Sequence, residues 1–143
     1  MNPSPQNVEN TKSLNRVLVA DDDPSILRLV TAVLESEGFA VITASDGKSA
    51  YKILQSGTPF RAVVLDVIMP YIGGTDILKF MQSDERFKPI PVIVMTGEHD
   101  PRLSSKNFEA GAVAFLPKPF TNSQLKMIVR TFVLGAAANV NAR

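Results

Sequence analysis

The sequence has no cysteine and a single histidine, His99, among its 143 residues. Without cysteine the chain cannot form disulfides, thiolate zinc sites or a cysteine nucleophile, and this composition fits a reducing compartment. One histidine excludes metal sites built from several histidines and argues against histidine-based catalysis. A binding or catalytic site in this chain must therefore be sought among its other polar side chains.

A strong charge of one sign and a long apolar run are also absent. The chain carries 15 basic and 14 acidic side chains, a formal net charge of +1, so no general attraction to nucleic acid or an anionic membrane is expected. No apolar run approaches the ~20 residues of a membrane span, and the N-terminus lacks the apolar core of a signal peptide. We expect a cytoplasmic protein of one domain that contacts neither nucleic acid nor membrane.

Five short apolar runs alternate with segments of helical periodicity along the chain. The runs are too short for helices and are rich in valine and isoleucine, which favours buried strands. Their alternation with helices predicts an α/β fold in which a parallel sheet has helices on both faces. The predicted strands are residues 17–20, 39–44, 62–65, 92–95 and 113–116.

Helix boundaries are marked by aspartate followed by proline or glycine. The first two helices are predicted to begin at Asp23-Pro24 and at Asp46-Gly47, and a fourth helix is predicted over residues 100–111. We expect residues 1–15 to form a flexible arm, 16–134 the folded domain and 135–143 a loose tail. The last helix is predicted to bury a stripe of apolar residues at helical spacing, namely Leu125, Ile128, Val129 and Phe132.

Polar side chains follow four of the predicted strands at their carboxyl ends. Asp21 and Asp22 follow the first strand, Asp66 ends the third, Thr96 the fourth, and Lys118 follows the fifth. Ligands of open parallel sheets bind at this edge, and strands ~4.8 Å apart would bring these groups to one centre. Taken singly, each residue has an ordinary structural explanation. Together they predict a site for Mg²⁺, which carboxylates bind, and for a phosphoryl group, which the lysine and hydroxyl would contact.

Four segments make the chain resemble the receiver domains of two-component response regulators, such as the chemotaxis regulators. Residues 17–24 resemble the acidic motif, 63–70 the phosphoacceptor motif, 92–97 the strand that ends in a switch threonine, and 115–120 the lysine motif. The resemblance extends over about residues 16–134. It implies a five-stranded flavodoxin-like (βα)5 fold with strand order 2-1-3-4-5.

The resemblance implies a metal-assisted phosphoacceptor site. Asp66 would accept a phosphoryl group from a phosphohistidine. Asp22 and Asp66 would bind Mg²⁺ (or Mn²⁺) directly, Asp21 mainly through water, and the backbone carbonyl of Ile68 would complete the protein ligands. The domain would thus catalyse its own phosphorylation and dephosphorylation without being a metabolic enzyme.

The resemblance also implies a switch. Lys118 would pair with the phosphoryl group, Thr96 would move to bond one of its oxygens, and Phe115 would turn into the space that Thr96 leaves. The peptide bond between Lys118 and Pro119 is expected to be cis, as in the family.

The loop after Asp66 departs from the family pattern at two positions. Tyr71 and Gly73 stand where the family often has glycine and aspartate. We therefore expect this loop to have a different shape from that of typical receivers.

The resemblance implies protein partners on both sides of the signal. A sensor histidine kinase or a phosphotransfer protein would donate the phosphoryl group, and a downstream effector would read it. The fourth helix, fifth strand and last helix would form the switching surface, through which phosphorylation can also produce a dimer. About nine residues follow the last helix, too few for an output domain, so the sequence leaves open a stand-alone receiver or a fragment of a longer regulator.

Two other functions remain open from the residues alone. A pseudo-receiver would keep the fold but bind partners without phosphate, although Asp66, Thr96 and Lys118 argue against it. A Mg²⁺-dependent phosphohydrolase of another α/β family would need a second acidic residue just after its nucleophile, and Val67 and Ile68 offer none.

Overall fold

The computed structural model describes residues 15–97 and 110–135 as a parallel sheet with helices on both faces. The five strands lie in the order β2-β1-β3-β4-β5 and all neighbours pair in parallel. The predicted flavodoxin-like order 2-1-3-4-5 is therefore confirmed. The strands are β1 (Arg16–Ala20), β2 (Ala40–Ala44), β3 (Ala62–Asp66), β4 (Val92–Thr96) and β5 (Ala114–Pro117).

The helices begin at the aspartates that the sequence indicates. Asp23 accepts a hydrogen bond from the backbone of Ser25 at 2.8 Å, and Asp46 from that of Ser49 at 2.7 Å, so both predicted N-caps are confirmed. None of the described helices is long and apolar enough to cross a lipid bilayer. They are α1 (Pro24–Ser36), α2 (Gly47–Gln55), α3 (Gly74–Gln82) and α4 (Asn122–Val129).

Three predicted segments fall mainly outside the described residues. The helix predicted over residues 100–111 lies there except for its last two residues. The arm predicted over 1–15 and the tail over 135–143 each have one described residue. These three expectations therefore stay predictions.

The sheet separates two apolar layers. On one face, α2 and α3 pack their buried side chains, among them Leu54 and Ile77, against alternate residues of the strands. On the other face, α1 and α4 do the same with side chains such as Leu34 and Leu125. Every residue of β3 and β4 is buried, as expected for interior strands covered on both faces. The carboxyl ends of these strands thus open onto one edge of a rigid core.

The end of the last helix differs from the prediction. After α4 the chain continues as a π-helical turn over Arg130–Leu134. Phe132, predicted to be buried, is 38% exposed, whereas Val133 is only 4% exposed. The wider π-turn adds one residue to the turn, so the inward position moves from 132 to 133. The predicted burial of Leu125 and Val129 is confirmed.

Candidate functional site

Three aspartates meet at the carboxyl edge of the sheet. Asp21 directly follows β1 and Asp66 is the last residue of β3, and these two strands are neighbours. One carboxylate oxygen from each of Asp21, Asp22 and Asp66 lies within 4.8 Å of the others. Asp21 is completely buried, Asp66 is 6% exposed, and Asp22 is exposed. The structure therefore brings together the carboxylates that the sequence places at two strand ends.

Lys118 directly follows β5, the outermost strand on one side of the sheet, and its side chain reaches this cluster. Its Nζ atom lies 2.6 Å from Oδ2 of Asp21 and 3.2 Å from Oδ2 of Asp66. The backbone N–H of Lys118 donates to the carbonyl of Thr96 at 2.7 Å, which ties the lysine to the end of β4. The Lys118–Pro119 bond is cis, as predicted. The site thus contains three carboxylates and one ammonium group.

The two oxygens of Asp21 have different partners. Oδ1 accepts a hydrogen bond from the backbone of Asp23 at 2.8 Å. Oδ2 is buried and has no well-directed hydrogen bond. Its short contact with Lys118 is therefore described as an ion pair. A buried carboxylate oxygen with unused acceptor capacity, beside two further carboxylates, fits a hard divalent cation. Asp21, Asp22 and Asp66 could together hold a metal ion, since each offers one carboxylate oxygen to the cluster.

The crowding of negative charge changes how two groups titrate. Burial, and then the nearby charge of Asp21, raise the pKa of Asp66, although Lys118 acts in the opposite direction. Burial by itself would lower the pKa of Lys118, but its close contact with Asp21 and the negative charges of Asp66 and Asp21 outweigh burial and raise that pKa. Lys118 therefore keeps its charge at neutral pH, and Asp66 ionises less readily than an exposed aspartate.

This electrostatic conflict predicts that Asp66→Asn stabilises the metal-free protein. Because the pKa of Asp66 is higher in the folded protein than in the unfolded chain, the free energy of unfolding falls as the pH rises through the raised pKa. In EDTA at pH 7 we expect the variant to raise Tm by roughly 4 °C, or about 1 kcal/mol in a domain of this size. The gain should shrink as the pH falls toward the ordinary carboxyl range. Thermal unfolding followed by circular dichroism measures it.

Asp84→Asn is the matched control for this prediction. Hydrogen bonds from the side chain and backbone of Arg86 lower the pKa of Asp84, the opposite direction to Asp66. No gain in Tm is expected for this variant. A Tm of Asp66→Asn that equals the wild type at pH 7, or a gain that grows on acidification, would contradict the prediction.

Two glycines fix the backbone that follows Asp66. Gly74 is the first residue of α3, and a Cβ atom there would overlap the carbonyl oxygen of Asp66. Gly47 is the first residue of α2, and a Cβ atom there would overlap the carbonyl oxygen of Ile72. Gly74 was not among the residues predicted to form the site, so its contact with Asp66 was missed. The available signal was the pair of glycines seven and eight residues after Asp66, but the pair alone does not indicate which backbone atoms come close.

The remaining predicted residues lie around the cluster. Thr96 ends β4 and is 7% exposed. Phe115 lies on β5, where it is half-buried against the core layer that contains α2 and α3. The side chain of Ile68, two residues past Asp66, is 63% exposed. The switching roles of Thr96 and Phe115, and the binding of metal by the carbonyl of Ile68, stay predictions.

Sequence comparison places this site in a known family. Residues 17–130 match the family model of the response regulator receiver domain. The response regulator Rre1 of Synechocystis sp. (strain ATCC 27184 / PCC 6803 / Kazusa) is 32% identical over 127 residues, which cover 88% of this chain and 54% of Rre1. The transcriptional regulatory protein CpxR of Escherichia coli K12 is 34% identical over 120 residues, which cover 84% of this chain and 50% of CpxR. The chain thus spans about half the length of these curated relatives.

Comparison with solved structures agrees. The chemotaxis response regulator CheY4 of Vibrio cholerae superimposes with a TM-score of 0.76 at 30% identity, covering 81% of this chain and 96% of that chain. The likeness extends over nearly the whole of CheY4, and its fold is the five-stranded parallel architecture described above. From the family match, these relatives and the acidic cluster with its lysine, we conclude that the chain belongs to the response regulator receiver domains of two-component systems.

Proposed function

We propose that this chain accepts a phosphoryl group on Asp66 from a phosphohistidine and uses the new charge to switch protein–protein contacts. The observation that carries the proposal is the contact of Lys118 with both Asp21 and Asp66, at 2.6 and 3.2 Å, beside the acidic triad. An isolated buried carboxylate would resist ionisation. The ammonium group of Lys118 lies beside Asp66, and the carboxylates of Asp21 and Asp22 can join Asp66 in holding a metal cation.

In the proposed transfer, an oxygen of Asp66 attacks the phosphorus atom of the phosphohistidine in line with its P–N bond. The P–O bond forms as the P–N bond breaks, and the imidazole nitrogen keeps the electron pair. Lys118 pairs with a phosphoryl oxygen as negative charge gathers there, and the hydroxyl of Thr96 donates to another oxygen. Hydrolysis later transfers the phosphoryl group from Asp66 to water.

Asp21, Asp22 and Asp66, with the carbonyl of Ile68, would hold Mg²⁺ or Mn²⁺. A bound divalent cation would neutralise negative charge on the phosphoryl oxygens and would relieve the repulsion among the carboxylates. Asp22 is exposed, so its side of the cluster is open to solvent. Mg²⁺ usually keeps several of its water ligands, and the open side leaves room for them.

The partners follow from the family. Receiver domains interact with histidine kinases, and we infer that a sensor histidine kinase or a phosphotransfer protein donates to Asp66. The new phosphoryl charge would favour the switched conformation of Thr96 and Phe115, which lie on the neighbouring strands β4 and β5. The output would be contact with a downstream effector, or a phosphorylation-linked dimer, through β5, α4 and the helix predicted over residues 100–111. We place the receiver domain itself at residues 16–134.

Acetyl phosphate or phosphoramidate tests the proposal without a kinase. We expect the protein incubated with either donor and Mg²⁺ to gain the mass of one phosphoryl group, detected by intact-mass spectrometry. The gain should disappear in EDTA, because the carboxylates and the incoming phosphoryl group then repel each other. It should also disappear in Asp66→Ala.

The other functions would give different results in the same experiment. No adduct at saturating donor and Mg²⁺ would favour a pseudo-receiver that binds partners without phosphate. Repeated hydrolysis of unrelated phosphoesters would favour a phosphohydrolase. An adduct that persists in Asp66→Ala would place the acceptor on another residue.

A further inference from the structure

An open groove lies on the solvent-exposed surface of α1. It has a volume of about 330 Å³ and extends from this helix to Thr43, an exposed residue of the edge strand β2. Four of the α1 residues that line it recur at helical spacing and therefore form one stripe along the helix. We call these four residues the α1 stripe, namely Arg28, Thr31, Ala32 and Glu35.

The middle of the α1 stripe presents small apolar groups. Ala32 is exposed and has only a methyl side chain. The hydroxyl oxygen of Thr31 is buried and has no hydrogen-bond partner among the described residues, so the part of Thr31 that reaches solvent is not its hydroxyl. The distance between two packed helices depends on the size of the side chains at their contact. The middle of the stripe therefore suits close contact with another helix.

The two ends of the α1 stripe carry opposite charges. Arg28 and Glu35 are both exposed, and within residues 15–97 and 110–135 neither forms an ion pair. The guanidinium group of Arg28 only donates to the hydroxyl of Ser25, at 3.4 Å. Arg28 and Glu35 lie seven positions apart, roughly 10.5 Å along the helix axis, so they cannot pair with each other. Charges of opposite sign thus lie on either side of an apolar centre.

We propose that the α1 stripe is the contact surface of a homodimer in which α1 of one copy packs antiparallel against α1 of another. A two-fold axis that passes between Thr31 and Ala32 places Arg28 of each copy opposite Glu35 of the other. The stripe is therefore complementary to itself in charge, which favours a second copy over an unrelated partner. Because one short helix buries little area, the dimer is weak, with a dissociation constant on the order of 0.1 mM.

This dimer differs from the phosphorylation-linked dimer of the proposed function. That dimer would form through β5 and α4, whereas the α1 stripe lies beside β2, at the opposite edge of the sheet. Thr96 and Phe115 lie on β4 and β5, away from the stripe. The α1 contact therefore forms with or without a phosphoryl group, and the inference does not require Asp66 to be the acceptor.

Exchanging the two charges tests the arrangement of the helices. We expect sedimentation velocity of the full chain to show a shift from monomer to dimer across the expected dissociation constant. Arg28→Glu and Glu35→Arg each place two pairs of like charges in the dimer, so each should weaken association about tenfold. An equal mixture of the two variants should associate nearly as well as the wild type, because each variant supplies the charge that the other lacks.

Lys52→Glu is the matched control. Lys52 is an exposed residue of α2, which packs on the other face of the sheet, so its replacement should leave association unchanged. A wild type that stays monomeric at every concentration would overturn the proposal, as would a mixture that associates no better than either variant alone. Association that appears only after treatment with phosphoramidate, and that both variants retain, would also overturn it and would assign the dimer to β5 and α4.

Discussion

Lys118→Met is expected to slow phosphorylation by phosphoramidate about 100-fold or more, the loss typical of removing one preorganised group that stabilises a transition-state charge. The side chain of Lys118 contacts both Asp21 and Asp66, so it is placed to meet a phosphoryl group on Asp66. Methionine preserves the length and apolar stem of lysine but removes its charge. Single-turnover rates in saturating Mg²⁺, followed by intact mass, measure the loss.

The same substitution should also destabilise the metal-free fold. Asp21 is completely buried, and removing its cationic partner leaves a buried charge without compensation, which costs about 3 kcal/mol. We expect Tm to fall in EDTA and to recover in excess Mg²⁺, because a bound cation replaces the lost charge. Recovery of Tm in Mg²⁺ without recovery of the rate would show that the two effects of Lys118 are separate.

Lys79→Met and Lys118→Arg are the controls for this result. Lys79 is an exposed residue of α3, and its replacement should alter neither rate nor Tm. Lys118→Arg keeps the charge but not the compact ammonium group, so it should retain stability in EDTA better than methionine does. Wild-type rates in Lys118→Met would exclude a role for Lys118 in the transfer.

Gly74→Ala is expected both to destabilise the domain and to slow phosphorylation of Asp66. A Cβ atom at this position would overlap the carbonyl oxygen of Asp66, which is backbone and cannot rotate away. Either α3 or the end of β3 must shift, at a cost of about 3 kcal/mol. Such a shift also displaces the acceptor, so we expect phosphorylation by phosphoramidate to fall at least tenfold even where the variant is fully folded.

Gly73→Ala provides a neighbouring comparison. Its φ angle is −76°, which suits alanine, and its Cβ atom would lie 3.0 Å from the carbonyl oxygen of Val67. The expected loss of stability is smaller than at Gly74. Chemical denaturation gives the free energies of unfolding, and phosphorylation at a temperature well below both Tm values gives the rates. Equal stability and rate in the two variants would show that the approach of Gly74 to Asp66 is not needed.

Much of the fold could be predicted because the local sequence signals for strands and helix starts agree with the elements of the folded sheet. The apolar runs that end in aspartate, threonine or a Pro-Lys pair are buried strands, and Asp23 and Asp46 cap helices as their sequence context indicates. The prediction failed at Phe132, since helical spacing assumes an α-helix throughout and the π-turn after α4 breaks that period. Where the departure from regular geometry depends on packing, residue periodicity cannot reveal it.

The sequence alone specified which groups the site contains and at which strand ends they stand. Asp21, Asp22, Asp66 and Lys118 could be selected as partners from their order along the chain and from the topology that the resemblance implied. Their separate environments depend on three-dimensional packing. Burial is the sum of contacts from distant segments, so only the folded chain makes Asp21 fully buried, leaves Asp22 exposed and sets Lys118 between two carboxylates. The same holds for Tyr71, whose left-handed backbone and exposed ring arise from the way the loop after Asp66 rests on the N-terminus of α2.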